Sequence, residues 1–133
     1  MARTIEIPRE GWAGYLERLS RRGQTHPIRI EVQNRDIGDQ EMVRKLPLVG
    51  IELETKGSDQ GEIEVTVGDS RGQFTHNIDE PARMYLKVDD AGNMECLEIA
   101  DQGGGKTLDF FEGHPGLPAG QELGGYEEHA PGP

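Results

Sequence analysis

The chain has 133 residues, a formal net charge of −11 and only 33% apolar residues, with 19 glycines and 8 prolines. This length fits one domain with a real core, while the low apolar share indicates that part of the chain lies outside the fold. The negative charge argues against a nucleic-acid partner, because a phosphate backbone would repel most of the surface.

The single cysteine and the hydropathy pattern indicate the compartment. Cys96 has no second cysteine to pair with, so we expect a reducing environment. It lies in an apolar strand pattern, which favours a small buried hydrophobe over a nucleophile. No apolar run approaches the roughly 18 residues that a membrane helix needs, and the N-terminus lacks a signal-peptide core. We therefore expect a cytoplasmic protein with no membrane partner.

The chain begins with a short alternating segment, residues 4–7, followed by the one clear helix. Trp12, Tyr15, Leu16 and Leu19 fall at i, i+3, i+4 and i+7, which predicts an apolar stripe packed on a sheet. Residues 1–30 carry six basic and three acidic residues, whereas residues 31–133 carry eight and 22. The arginine-rich helix end is either a solvated face, which we favour, or a site for an acidic partner or the acidic tail.

Alternation of apolar and polar residues then predicts six or seven strands. The clearest pair is a hairpin formed by residues 46–54 and 62–68, joined by a polar connection that contains two glycines. Leu48 and Ile51 have opposite parity, so we expect a bulge at Gly50. Residues 42–45 fit either a strand or a short helical turn. The other predicted strands cover residues 28–32, 74–78, 83–89, a segment around Leu97 and Ile99, and 106–111.

These elements predict an α+β fold, with one N-terminal helix packed on a six- to seven-stranded antiparallel meander sheet that is open or curled into a half-open barrel. We assign residues 1–111 to this single domain. Residues 112–133 contain many glycines and prolines, no lysine or arginine and no periodicity. They predict a flexible, acidic tail.

Several motifs resemble those of a family of small bacterial proteins of unknown function, the DUF5335-like proteins. The most specific are a D-x-G-x-Q step from Asp36 to Gln40 and the L-P-L-V-G-I run from Leu46 to Ile51. Trp12, L-S-R at 19–21, H-N-I-D-E-P at 76–81, L-E-I at 97–99 and K-T-L at 106–108 also fit, so the resemblance spans residues 10–111. It implies a compact bacterial domain and brings no activity, cofactor or catalytic residue.

Four residues are candidate ligand-binding positions. Asp36, Asp39 and Gln40 lie in a polar segment, and oxygen ligands suit hard cations, but the spacing matches no EF-hand loop. A turn whose Asp side chains bond local backbone N–H groups is the favoured interpretation. His76 shares a strand face with Phe74. If that face points inward, His76 is either a hydrogen-bonded structural histidine, which we favour, or a general base. We predict no metal or cofactor.

The familiar catalytic motifs are missing. The G-G-G-K-T run at 103–107 lacks the first glycine of a phosphate loop, since that position holds Ala100, and a tight turn between strands fits better. No serine lies in a nucleophile elbow. We therefore predict a non-enzymatic binding or accessory module acting through protein or small-molecule contacts, which include homo-oligomer formation, at a sheet face or edge. The alternative is a small-ligand-binding protein or enzyme with a site near His76 and residues 36–40.

Overall fold

The computed structural model describes residues 3–34, 38–57, 60–91 and 93–111; the predicted tail, residues 112–133, lies outside them. The elements are β1 (Arg3–Ile7), a 3-10 turn (Arg9–Gly11), α1 (Trp12–Gly23), β2 (Pro27–Asn34), β3 (Gly38–Leu53), β4 (Ile63–Asp69), β5 (Gly72–Ile78), β6 (Pro81–Val88), β7 (Met94–Asp101) and β8 (Lys106–Phe111). The predicted α+β fold is confirmed. The described part has eight strands, and its sheet is not closed into a barrel.

The strands follow the order β1-β6-β7-β8-β2-β3-β4-β5, and every neighbouring pair is antiparallel. Strand β3 is long enough to pair with two strands in succession. Its first half pairs with β2 as far as Pro47, and its second half pairs with β4 from Leu48 to Leu53. The polar segment after Asn34, which the sequence predicts as turn-rich, is therefore already strand at Gln40, opposite Val32.

The change of partner in β3 coincides with backbone irregularities. Lys45 has a φ of +128°, and the ladder to β4 slips by one residue between Leu48 and Gly50. This slip confirms the predicted bulge. Because the extra residue restores the alternation, Leu48 and Ile51 both point into the core despite their opposite parity.

Helix α1 packs its predicted apolar stripe on the sheet. Trp12, Tyr15, Leu16 and Leu19 are at most 1% exposed, and burying one side chain of this size contributes about 1.5–3 kcal/mol. The Trp12 indole N–H donates a hydrogen bond to the Ile7 carbonyl at 2.8 Å. The Arg9 guanidinium stacks 4.4 Å from the Trp12 ring and donates to the Pro81 carbonyl at 2.9 Å, which ties the start of the helix to β6.

Strand β7 is buried on both faces over residues 96–99, and it contains a bulge before Cys96. Lys87 lies opposite Cys96 while Val88 lies opposite Met94, so Glu95 is an extra residue. Cys96 is 2% exposed, and burial raises the pKa of its thiol to about 12. Its predicted role as a buried hydrophobe is confirmed, since a thiol that keeps its proton is a poor nucleophile.

The glycine run forms a turn, as expected. Strand β7 ends at Asp101 and β8 begins at Lys106. The Asp101 carboxylate accepts a hydrogen bond from the Gly105 N–H at 2.9 Å, and the Asp101 N–H donates to the Gly105 carbonyl at the same distance. The Asp101 side chain thus occupies the turn. Within the described residues, no helix is both long and apolar enough to cross a membrane.

Candidate functional site

A cleft of about 500 Å³ lies between α1 and the second half of β3. We call it the α1–β3 groove. Its lining residues are Ala13, Glu17, Ser20, Arg21 and Gln24 on the helix side and Val49, Gly50, Ile51, Glu52, Leu53 and Thr55 on the strand side. The helix residues recur every three or four positions, so they form one flank of α1 beside its apolar stripe.

The groove exposes an edge of β3 that no strand covers. The ladder with β2 ends at Pro47, and Leu48 still exchanges backbone hydrogen bonds with Thr25 and His26, both at 2.8 Å. Beyond Leu48, the only strand that pairs with β3 in the described residues is β4. The Glu54 N–H donates to the Glu62 carbonyl at 2.9 Å, which shows that the backbone of Glu54 points towards β4. Alternate residues of an antiparallel strand direct their N–H and C=O groups to opposite sides. Ile51 and Leu53 therefore direct theirs towards α1.

The Ser20 side chain occupies part of this edge. Its hydroxyl donates to the Ile51 carbonyl and accepts from the Ile51 N–H, both at 2.8 Å. These are the two bonds that a neighbouring strand would make. The next outward-facing position is Leu53, whose N–H and C=O have no hydrogen-bond partner among the described residues. One strand-pairing position in the groove is thus satisfied by a side chain, and the next is open.

Charged groups on the rim make the groove slightly acidic. Glu17 and Arg21 form an ion pair at 3.1 Å, and both side chains are 71% exposed, so their attraction is screened by water. The Glu52 carboxylate lies over Gly50, because a Cβ built on Gly50 would be 3.8 Å from Glu52 Oε1. The groove therefore offers a free backbone donor and acceptor, two carboxylates and one guanidinium.

His76 lies on the inner face of β5. It pairs with the buried Val65 of β4, and residues opposite each other share a face. The half-buried ring places Nε2 3.3 Å from the Thr107 hydroxyl of β8. Burial lowers the pKa of His76, and the nearby Asp79 carboxylate partly opposes this. His76 is thus a hydrogen-bonded imidazole that connects the edge strand β5 to β8, which lies in the interior of the strand order.

The other sequence-predicted site residues are divided between the faces of the sheet. Gln40 lies opposite Val32, which in turn lies opposite Thr107, so Gln40 shares the face of His76. Asp39 is one residue away and points to the other face, beside a cleft of about 220 Å³ that Lys106 also lines. Asp36 lies outside the described residues. No group of three or more His, Cys, Asp or Glu side chains in the described ranges could hold a metal ion.

Sequence reasoning missed two polar residues that the fold makes important. Ser20 looks like an ordinary residue near a helix end, and only the approach of β3 gives its hydroxyl a role. Asp109 is 0% exposed, and neither carboxylate oxygen has a hydrogen-bond partner among the described residues. Alternation along β8 places Asp109 on the same face as the core-facing Thr107 and Phe111. This alternation is the one sequence signal that could have revealed the burial of Asp109.

Comparison with known proteins places the chain in a family. It matches the profile of a family of unknown function, DUF5335, over residues 3–119. An uncharacterized protein of Aquifex aeolicus (strain VF5) is 32% identical over 105 residues, which cover 79% of this chain and 88% of that protein. No solved structure matches the chain significantly. The match covers every described strand and the helix, and the chain belongs to the DUF5335 family of unknown function.

Proposed function

We propose that the protein is a non-enzymatic binding module that holds an extended segment of a protein partner in the α1–β3 groove. The observation that carries this proposal is the open backbone of Leu53 inside a cleft. An extended segment adds to a free sheet edge through the hydrogen bonds that a neighbouring strand would make. Ser20 already makes such bonds at Ile51, so the partner backbone continues from there along β3.

Size and charge define the segment further. A volume of about 500 Å³ falls in the ordinary range for binding pockets, roughly 300–1,000 Å³, and accommodates a few residues in extended form. The protein carries a net charge of −11, and Glu17 and Glu52 lie on the rim. Repulsion disfavours an acidic segment, so we propose a neutral or basic one. The Aquifex relative and the buried, unpaired Cys96 support a bacterial cytoplasmic setting.

Selection of peptides tests the proposal. The purified full chain is used to select peptides of about ten residues from a random library displayed on phage, and the dissociation constants of the selected peptides are measured. Ala13 lines the groove and is exposed, so Ala13→Arg should fill the cleft and weaken binding at least tenfold. Ala91→Arg makes the same change at an exposed turn outside the groove and should leave binding unchanged.

Nuclear magnetic resonance locates the bound peptide. The amide signal of Leu53 should shift on binding, because its N–H acquires an acceptor. Failure to select any peptide, or equal weakening by Ala13→Arg and Ala91→Arg, would contradict the proposal. So would shifts confined to another surface.

The alternative function is a small-ligand or enzyme site near His76. It is supported by the shared face of Gln40, Thr107 and His76 and by the lowered pKa of His76, which keeps the imidazole neutral and able to accept a proton. Asp39 points away from this face, so we place the alternative second. A thermal-shift screen of metal ions and metabolites tests it: a ligand of this site should stabilise the native protein but not His76→Gln, and the absence of such a ligand would remove the alternative.

A further inference from the structure

Asp109 is a buried carboxyl group without a partner. It lies at the centre of the inner face of β8, opposite Leu97 of β7 and Ile30 of β2, both of which are 0% exposed. Asp109 is itself 0% exposed, and neither of its oxygens has a hydrogen-bond partner among the described residues. Burying an unpaired polar group is costly, and burying an unpaired charge costs far more. This position therefore favours the neutral acid over the carboxylate.

The groups around Asp109 do not offset its charge. The same core contains apolar side chains from three other strands: Leu48 and Ile51 of β3, Val65 and Val67 of β4, and Met84 and Leu86 of β6. The titratable groups that face this core are His76, which bonds Thr107 two residues away, Tyr15 of α1, and His26, whose ring lies 6.1 Å from Phe111. Cys96 lies on the other face of β7. Two lysines on that outer face, Lys87 and Lys106, form ion pairs with Glu98.

We propose that Asp109 is a proton-linked switch of the stability of this fold: the native sheet holds Asp109 as a neutral acid, and loss of its proton favours unfolding. The inference is independent of the proposed binding function, since Asp109 does not line the α1–β3 groove. It rests on the apolar neighbours on both sides of Asp109 and on its two unbonded oxygens.

The direction of the pH dependence follows from linkage. Burial raises the pKa of Asp109 from 3.8 to about 7. Between these values the folded protein keeps a proton that the unfolded chain has released, so stability falls as the pH rises from about 4 to about 7 and then becomes constant. The unfolding equilibrium constant should increase about fifty-fold between pH 5 and pH 7 through this group alone, since each full pH unit inside the window is worth a factor of ten.

The contribution of His76 to stability changes with pH in the opposite direction. Burial lowers its pKa, so the unfolded chain binds a proton that the folded protein does not, and stability falls as the pH drops below 6.5. The two groups must therefore be separated by substitution. Asp109→Asn removes only the Asp109 contribution and leaves the His76 contribution in place.

Urea unfolding of the full chain at pH 5, 6, 7 and 8 tests the switch. The ratio of the unfolding constants of the native protein and Asp109→Asn should rise about fifty-fold from pH 5 to pH 7. Asp39→Asn removes one carboxyl from an exposed position, so it controls for the change in net charge. Its ratio to the native protein should stay constant within about threefold. Parallel pH profiles for the native protein and Asp109→Asn would overturn the proposal.

A second measurement does not depend on the folding of a variant. The carboxyl carbon of Asp109 in the native protein is followed by nuclear magnetic resonance as a function of pH. A midpoint near 7 would support the proposal, because it shows that the folded protein holds the acid form. A midpoint below 5 would overturn it, whatever the stability profiles show.

Discussion

Replacing Gly68 with alanine should destabilise the β4–β5 hairpin severely. Gly68 is buried and has a φ of +140°, a conformation that side-chain-bearing residues rarely adopt. A Cβ at this position would lie 2.3 Å from the Gly72 carbonyl oxygen and 2.7 Å from Gln73 Cα. Both atoms belong to the backbone, so no side chain can rotate away. The strand β5 itself would have to move.

The expected loss of stability in Gly68→Ala has two parts. Holding a non-glycine residue at positive φ costs roughly 1–2 kcal/mol. Relief of the contact requires β5 to withdraw from β4 where Gln73 pairs with Gly68 and Gly72 pairs with Asp69, and each hydrogen bond lost there costs about 1 kcal/mol. We expect a total of about 3–5 kcal/mol, a large share of the 5–15 kcal/mol that usually stabilises a domain.

Urea unfolding of Gly68→Ala and Gly72→Ala measures this difference. Gly72 lies in the same hairpin, has no positive φ, and a Cβ built there meets no atom within 4 Å. Gly72→Ala should therefore be neutral or stabilise the protein by up to about 1 kcal/mol, because alanine restricts the unfolded chain. A loss of less than 1 kcal/mol for Gly68→Ala, or equal losses for the two variants, would refute the reasoning.

Three further predictions concern Ser20, Cys96 and His76. Ser20→Ala removes both bonds to Ile51 and should lower the free energy of unfolding by about 1–3 kcal/mol; a urea midpoint equal to that of the native protein would show that water replaces the hydroxyl. Cys96, buried and with its pKa raised to about 12, should not react with a thiol reagent at pH 8 until urea unfolds the protein, and rapid labelling of the native protein would contradict its burial. His76→Gln removes a group whose pKa is lowered in the fold, so this variant should lose less stability than the native protein between pH 6.5 and pH 5. Identical acid profiles for the two proteins would contradict that interpretation.

Local periodicity predicted most of the elements. Three features involve only residues close in sequence, so their patterns are visible without the fold: the stripe from Trp12 to Leu19, the hairpin formed by residues 46–54 and 62–68, and the turn at 103–105. The polar segment at Gln40 is strand although its composition is typical of a turn, because turn-forming residues also occur in the exposed arms of a hairpin. There, pairing with β2 decides the conformation, and propensity does not.

The candidate sites depend on contacts between residues far apart in the chain. Ser20 meets Ile51 across 31 residues, and His76 meets Thr107 across another 31. The inward orientation of Asp109 follows from its pairing with both Ile30 and Leu97.

The sequence alone therefore determined the helix, most of the strands and the family, since apolar residues at regular spacing must be buried on one face wherever the chain lies. Only the tertiary structure decided that the edge of β3 beside α1 stays open and that the Asp109 carboxyl group is buried away from water. Both depend on which strands become neighbours, and no local pattern contains that information.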